Sequence, residues 1–175
     1  MRKTSITFFC CCILLFATLC FGCSMPKSEY LRIHIRANSN DNCDQVIKYE
    51  IRDLIVKNLT PKLKNCTSKT QAINVLNNNE SAVKELIDSF LKEKGFNYSC
   101  KLSIREENFP TRVYEGLTLE AGYYDALIIE LGNGAGDNWW CVVYPPLCFI
   151  GSEDIEYRSK IIDLINGLGN SAIAR

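Results

Sequence analysis

The sequence predicts an α+β domain in which helices pack on one face of a mostly antiparallel sheet of about four to five strands. Two segments, 30–36 and 98–104, alternate between apolar and polar side chains, which is typical of half-buried strands. Between them, apolar side chains recur at helical spacing over residues 44–94. At 175 residues, the chain has the length of one domain with short additional segments.

A hydrophobic segment at residues 1–24 precedes the predicted domain. Arg2 and Lys3 are followed by an uncharged, largely apolar run at 6–21. This pattern predicts a secretory signal peptide or an uncleaved N-terminal anchor helix, and a lipoprotein signal cleaved at Cys23 is a third alternative. In each case the rest of the protein is secreted or extracytoplasmic, and it meets a membrane only through this segment.

The first half of the domain is predicted to contain one strand followed by helices. The strand ends at Arg36, and the polar residues 37–42 form a turn that leads into the first helix. Helical periodicity covers residues 44–59, 68–76 and 80–94. Pro61 is expected to end the first helix, the asparagines at 77–79 to separate the second from the third, and Gly95 to cap the third.

The second half is predicted to be mostly β-structure. Strands are expected at residues 98–104, 117–119, 124–131 and 139–144, with a loop at 108–111 and a final amphipathic helix at 152–166. Four residues are interpreted as structural turn or connector positions, namely Asn38, Gly132, Gly134 and Gly136. The predicted divisions are a signal or anchor at 1–24, a lead-in at 25–30, a domain at 31–151 and a C-terminal helix and tail at 152–175.

The charge of the chain argues against binding to nucleic acid or to anionic lipid. The protein has 20 basic and 20 acidic side chains, and Arg2 and Lys3 belong to the N-terminal segment. The remainder therefore has a slight acidic excess, whereas nucleic-acid binders carry a basic stripe and lipid binders carry clusters of Lys or Arg. No pattern predicts a metal or a cofactor site, because the oxygen-rich turn at 38–44 lacks the calcium-loop spacing and the glycines precede a strand instead of a helix.

His34 and the cysteines are the candidates for chemistry. His34 is the single histidine, and we interpret it as structural; the alternative is a Cys-His hydrolase that pairs it with Cys141 or Cys100. Five cysteines lie after the N-terminal segment, so at least one has no partner within the chain. A disulfide between Cys141 and Cys148 is possible because two prolines bend the chain between them, and two buried thiols are the alternative.

Both tryptophans of the protein are neighbours, and they lie in a predicted strand that ends at two prolines. Neighbouring side chains of a strand point to opposite faces, so one ring can enter the core while the other stays accessible unless another element covers it. Tryptophan is a preferred residue at protein interfaces. The sequence therefore predicts a contact surface for a partner protein, composed of Trp139, Trp140, Tyr144, Pro145 and Pro146.

Three blocks of residues are distinctive, namely IHIRANS at 33–39, AGYYDAL at 121–127 and GAGDNWWCVVYPPLCF at 134–149. Together they closely resemble the signature of the stage II sporulation protein R family of endospore-forming bacteria. The resemblance implies a protein exported from the forespore into the space between the forespore and mother-cell membranes. It also implies that the protein activates a membrane-embedded, aspartic-type protease, which processes the precursor of the mother-cell sigma factor.

The resemblance implies a signal and not an enzyme, which agrees with a chain that lacks a recognisable catalytic motif. Two alternatives remain open from the residues alone. One is the extracytoplasmic Cys-His hydrolase that uses His34, and the other is a generic extracytoplasmic binding module.

Overall fold

The structure is a computed structural model that describes residues 28–114 and 117–149. The predicted N-terminal segment at 1–24 and the predicted final helix at 152–166 lie outside the described residues. Within the described ranges, none of the helices combines the length and the apolar character needed to cross a bilayer. The domain boundaries expected near residues 24 and 151 therefore stay predictions.

Across the part of the chain that the structure describes, one strand is followed by two long helices, five strands and a short 3-10 helix. In order, they are β1 (Leu31–Arg36), α1 (Asn42–Leu63), α2 (Lys69–Glu93), β2 (Cys100–Phe109), β3 (Arg112–Tyr114), β4 (Leu117–Leu119), β5 (Gly122–Leu131), β6 (Asn138–Tyr144) and the 3-10 helix Leu147–Phe149. Each strand predicted from the sequence is present. β2 continues into the predicted loop at 108–111, and β3 was not predicted.

The main sheet has four strands in the order β2-β5-β1-β6, and β3 pairs with β4 in a separate hairpin. β5 is antiparallel to β2 and β6 is antiparallel to β1, but the central pair of β1 and β5 is parallel. The sheet is therefore mixed, and the expectation of a mostly antiparallel sheet holds only for its two outer pairings. Parallel strands need a long crossover connection, which α1 and α2 supply together with β2 and the β3–β4 hairpin.

The helices pack on one face of this sheet, as predicted, and the main hydrophobic core lies between them. β1 contributes Leu31, Ile33 and Ile35, all of which are buried. The helices contribute Ile47, Ile51, Ile55, Leu59 and Leu63 from α1, and Ala72, Leu76, Val83, Ile87 and Leu91 from α2. Full burial of one aliphatic side chain stabilises the fold by about 1.5–3 kcal/mol relative to exposure, so this layer holds the helices on the sheet.

The opposite sheet face carries a second, smaller cluster of buried side chains, which consists of Phe109, Leu119, Tyr124, Ala126, Ile128 and Val142. The β3–β4 hairpin covers part of this face through Leu119 and the partly buried Tyr114. The alternation of β1 places Arg32 and His34 on the same face, and both are buried. We call this side of the sheet the open face, because α1 and α2 lie on the other side.

The expected break at residues 77–79 is wrong, because α2 runs without interruption from Lys69 to Glu93. Leu76 and Val83 are both buried, so the helical face that meets the sheet continues across the three asparagines. Asn77 and Asn78 are exposed, where an asparagine costs a helix only a few tenths of a kcal/mol relative to alanine. Burial of the apolar stripe therefore outweighs the weak helix propensity of this segment.

The expected end of the first helix at Pro61 is also wrong, because α1 continues to Leu63. Proline removes one backbone donor from the helix, but the loss falls in the last turn. The side chains of Leu59 and Leu63 are buried on either side of it, and the backbone N–H of Lys64 still donates to the carbonyl of Thr60 at 3.0 Å. Core packing therefore secures the final turn.

The connector between β5 and β6 makes a tight turn at its first glycines. Gly132 and Gly134 have φ values of +56° and +61°, a region that residues with a side chain rarely adopt. The N–H of Gly134 donates to the carbonyl of Leu131 at 2.9 Å, which closes the turn. The interpretation of these glycines as connector residues is consistent with this geometry.

The rest of the connector lies against the turn that follows β1. Gly136 donates its N–H to the carbonyl of Ala37 at 2.9 Å, and the Oδ1 atom of Asn38 accepts from the N–H of Asn133 at 2.9 Å. A Cβ atom on Gly136 would lie only 2.1 Å from the carbonyl oxygen of Ser39. The two loops therefore approach more closely than any residue except glycine permits.

Asp44 anchors the same turn to α1 and to the start of β2. Its buried carboxylate accepts hydrogen bonds from the Tyr98 hydroxyl at 2.6 Å, the Ser39 hydroxyl at 2.7 Å and the Asn38 amide at 2.8 Å. Burial opposes ionisation, but these hydrogen bonds outweigh it and hold the pKa of Asp44 below its usual value. The ionised carboxylate is therefore a structural element of the fold.

Replacement of Gly136 by alanine is expected to destabilise the protein, because the new Cβ atom collides with the backbone of Ser39. Overpacking of this kind costs about 1–3 kcal/mol, which urea denaturation of the purified protein would measure. Gly122→Ala is the matched control, since its Cβ would lie 4.0 Å from the closest side-chain atom. Equal stability of the two variants would contradict the close approach.

Acid is expected to weaken the fold partly through Asp44. Its pKa in the folded protein lies below the unfolded value of about 3.9, so its ionised form stabilises the fold above that value and the contribution is lost as the pH falls through the folded pKa. Urea denaturation between about pH 3 and pH 7 should show that Asp44→Asn loses about 1–3 kcal/mol at neutral pH and has a shallower acid dependence.

The exposed Asp53, whose side chain is 68% accessible, provides the control for that measurement. Asp53→Asn should leave both the stability and its acid dependence almost unchanged, because an exposed ion pair contributes little. An Asp44→Asn variant with the acid dependence of the unmodified protein would refute the role of the Asp44 carboxylate.

Candidate functional site

β6 forms one edge of the main sheet and carries both tryptophans of the protein. Trp139 lies on the helix side, where it packs against the main core, and Trp140 lies on the open face with the second cluster. Both rings are half-buried. One edge strand therefore presents an aromatic side chain on each face of the sheet, as the alternation of strand residues predicts.

Trp140 contacts side chains from two other strands of the open face. Its ring stacks on His34 with a centroid separation of 5.3 Å and an interplanar angle of 27°. The guanidinium of Arg112, on β3, lies 4.2 Å from the centroid of the same ring. The β3–β4 hairpin thus covers part of Trp140, and a cation over an indole face is attracted by the ring's quadrupole.

His34 is held by oxygen atoms on both of its ring nitrogens. Nδ1 lies 2.5 Å from Oε1 of Glu107, and Nε2 lies 2.8 Å from Oδ1 of Asn138. Arg36 donates to the same Glu107 oxygen at 2.7 Å and also contacts Glu130. Burial raises the pKa of Glu107, but the His34 and Arg36 contacts outweigh it and lower the pKa. This arrangement positions the imidazole and leaves it engaged on both sides.

Neither cysteine suggested as a nucleophile lies beside His34. Cys100 and Cys141 belong to the helix-side core, on the opposite face of the sheet from the histidine. Burial, together with the neighbouring Asp88, raises the pKa of the Cys100 thiol to about 12, so it stays protonated at neutral pH. For the described residues, the geometry therefore gives no support to a Cys-His hydrolase.

Cys141 and Cys148 are paired in the structure, with their Cα atoms 6.2 Å apart, which lies within the range of natural disulfides. The chain reaches Cys148 through a cis peptide bond between Tyr144 and Pro145. The Cys148 sulfur also accepts from the N–H of Val142 at 3.1 Å. The segment after β6 therefore folds back onto the end of the strand.

This fold-back buries three members of the predicted contact surface. Tyr144 is only 3% exposed, and Pro145 and Pro146 are buried as well. Their side chains contribute to the packing of the sheet end in this conformation and not to the accessible surface. Of the five predicted contact residues, Trp139 and Trp140 are the ones that the structure leaves within reach of a partner.

Arg32 is a residue whose environment the sequence did not reveal. The alternation of β1 places it on a polar face, yet the structure buries it completely. One terminal nitrogen donates to the Tyr114 hydroxyl at 2.8 Å, and the guanidinium carbon lies 4.2 Å and 4.9 Å from the ring centroids of Phe109 and Tyr124. Aromatic rings thus surround this cation, and the large number of tyrosines and phenylalanines was the available signal.

Arg52 and Arg112 were not predicted as contact residues, because only the folded chain brings them near the tryptophans. Arg52 projects from α1 and its guanidinium lies 6.0 Å from the Trp139 ring centroid, while Arg112 lies over Trp140. Each tryptophan of β6 is therefore accompanied by one arginine. Tryptophan and arginine are the residue types most enriched at the energetic centres of protein interfaces.

The described residues contain no group of three or more potential metal-ligating side chains. The oxygen atoms of the turn after β1 are used within the protein, since the Asp44 carboxylate accepts from three neighbouring side chains. What the β6 region offers chemically is a surface for contact, with an indole ring and a nearby guanidinium group on each face of the strand.

Comparison with known proteins gives two positive findings. The model of the family described as "Stage II sporulation protein R (spore_II_R)" matches residues 27–154 of this chain. The stage II sporulation protein R of Bacillus subtilis (strain 168) is 38% identical over 122 residues, which cover 70% of this chain and 54% of that relative. The chain thus spans about half the length of the curated relative it matches.

No solved structure matches this chain. The family match extends over the whole described region, including β1, both helices and the β6 segment with its two tryptophans. It confirms the resemblance seen in the three sequence blocks. The chain belongs to the stage II sporulation protein R family.

Proposed function

We propose that the protein is an exported sporulation signalling protein that activates a membrane-embedded, aspartic-type protease. In this proposal, the protease then processes the precursor of the mother-cell sigma factor. The observation that carries the proposal is membership of the stage II sporulation protein R family over residues 27–154. The name of the Bacillus subtilis relative supports a role in sporulation.

The proposed mode of action is contact with a protein receptor and not catalysis by this chain. The geometry around His34 supports it, because Glu107 and Asn138 engage both ring nitrogens. The cysteine chemistry supports it too, since Cys100 is a buried thiol and Cys141 is paired with Cys148. A reactive cysteine needs a lowered pKa and access to substrate.

The proposed contact region is the β6 edge with its two Trp–Arg pairs, Trp139 with Arg52 and Trp140 with Arg112. Half-buried indoles offer a large contact area and lose little conformational entropy when a partner binds. To activate its receptor, the protein must bind the active state more tightly than the inactive state, because only differential affinity shifts an equilibrium.

The proposed location is the space between the forespore and mother-cell membranes. The apolar run at 6–21 supports export, and the same segment would tether the protein if it is not cleaved. The domain itself is expected to contact the membrane protease and not lipid or nucleic acid, because its charges are nearly balanced.

Reconstitution in a non-sporulating bacterial host tests this function directly. Co-expression of the protein, the candidate membrane protease and the sigma factor precursor should produce the processed sigma factor, detected by immunoblotting. Omission of this protein should abolish processing, because the protease then stays in its inactive state. Processing that is equally efficient without it, or cleavage of the precursor by this protein alone, would refute the proposal.

Removal of both indoles should strongly reduce activation in the same assay. The variant Trp139→Ala with Trp140→Ala is expected to lower precursor processing by about tenfold or more, because truncation of aromatic contact residues weakens binding strongly. Tyr123→Ala is the matched control, since that aromatic side chain is 69% exposed on β5, away from the β6 edge.

Circular dichroism and urea denaturation should first establish that both variants are folded. A folded double variant with normal processing would show that the contact surface lies elsewhere on the domain. It would leave the signalling function itself standing.

A further inference from the structure

The outer edge of β6 carries backbone groups that lack a strand partner within the described residues. β6 pairs with β1 on one side and ends the sheet on the other. The carbonyl of Asp137 accepts from the N–H of Ala37, which shows that the odd-numbered positions face β1. The N–H of Val142 instead meets the Cys148 sulfur, so the even-numbered positions from Asn138 to Val142 face outward, up to the register shift between Arg32 and Leu31. Asn138 and Trp140 therefore direct their peptide groups away from the sheet.

Within the part of the chain that the structure describes, the fold-back after β6 covers only the far end of this edge. Cys148 occupies the N–H of Val142, while Asn138 is exposed and Trp140 is half-buried. Among the described residues, no strand pairs with the outer side of the segment from Asn138 to Cys141, which can therefore accept an extended chain. Unpaired edge strands are ready templates for this kind of pairing, and proteins normally protect them.

The two edges of the sheet differ sharply in their protection. β2, at the opposite edge, carries four charged side chains, namely Lys101, Arg105, Glu106 and Glu107. β6 has the sequence NWWCVVY and carries no charged side chain. Charged residues on an edge strand discourage pairing with another chain. The uncharged β6 edge lacks that protection, as expected for an edge that a partner uses.

Positive charge lies on both faces of the β6 edge. Arg52 lies near Trp139 on the helix side, and Arg112 lies over Trp140 on the open face. Arg52 forms an ion pair with the exposed Asp53. Among the described contacts, the Arg112 guanidinium donates a hydrogen bond only to the backbone carbonyl of Thr111. An extended segment paired with β6 directs alternate side chains to the two faces, so acidic side chains on it can reach both arginines.

We propose that the β6 edge binds an extended, acidic segment of a partner protein as an additional β-strand. Main-chain hydrogen bonds to Asn138 and Trp140 supply the register, and the two tryptophan–arginine pairs select the acidic character. The inference rests on the proposed function only for the identity of the partner, the membrane protease. A second copy of this chain fits less well, because pairing of two β6 edges would bring the arginines of both copies together.

A synthetic peptide tests the edge without knowledge of the receptor. The probe is a heptapeptide with two adjacent glutamates at its centre and valine at the other positions, so that one carboxylate points to each face of the sheet. The same peptide with lysine instead of glutamate is its counterpart. Both tryptophans of the protein lie on β6, so fluorescence excited selectively in tryptophan reports on this strand alone. The acidic peptide should produce a saturable change in emission, and the lysine peptide should produce none.

Two variants distinguish charge recognition at β6 from binding elsewhere. The double variant Arg52→Gln with Arg112→Gln should bind the acidic peptide about tenfold more weakly. Lys101→Gln removes a positive charge from the exposed edge of β2 and should bind normally. Equal binding of both peptides, no binding of the acidic peptide, or unchanged affinity of the double variant would overturn the proposal.

Hydrogen exchange on the whole protein identifies the occupant of the edge. The Trp140 amide should exchange rapidly in the free monomer and become protected by the acidic peptide. Protection of this amide in the monomer without peptide would mean that the chain covers its own edge. Protection that appears only when the protein dimerises would identify a second copy as the occupant. Either result overturns the proposal. If the reconstitution assay fails but the acidic peptide still protects the Trp140 amide, the proposed receptor is rejected. The binding site at the β6 edge would then still stand.

Discussion

The domain is organised around one constraint: three basic side chains of the inner strand β1 need partners from other strands. β1 directs Arg32, His34 and Arg36 onto the open face of the sheet, where Arg32 and His34 are buried and Arg36 is half-buried. A buried charge is strongly destabilising unless it is paired and hydrogen-bonded, and for Arg32 this compensation is partial, because its Nε and Nη1 atoms have no hydrogen-bond partner among the described residues. The partners of the three side chains come from β2, β5, β6 and the β3–β4 hairpin, and they are Glu107, Glu130, Asn138, Tyr114, Phe109 and Tyr124. The open face is thus specified by polar and aromatic contacts, whereas the helix face is specified by aliphatic packing.

Local pattern predicts the elements of this fold better than it predicts their limits and pairings. Alternation located β1 and the start of β2, and short apolar runs between turn residues located β5 and β6. The asparagines at 77–79 and Pro61 predicted helix ends that the structure does not have, since helix propensity is weak compared with burial of residues such as Leu76, Val83 and Leu63. The parallel pairing of β1 with β5 was not predictable, because strand order depends on contacts between distant segments.

In the candidate site, too, some features follow from neighbouring residues, whereas others depend on contacts between distant segments of the chain. The position of two adjacent tryptophans in a strand predicts that they lie on opposite faces, and the structure places Trp139 and Trp140 in this way. The burial of Tyr144 depends on the return of Cys148 to the strand end, which a linear pattern does not encode. Arg112 was missed for a related reason, since only the folded hairpin brings it over Trp140.

The position of β1 in the middle of the sheet also determines when the domain can assemble. Arg36 and Glu130, which connect β1 to β5, are 94 residues apart in the chain. Contacts at such separations form late, because a long segment must lose conformational entropy before any of them is made. Before β5 and β6 are present, β1 has neither of its neighbouring strands, so the main sheet cannot form. In the proposed export, this order would keep the chain free of its main sheet during passage, since the sheet closes only when β5 and β6 are present.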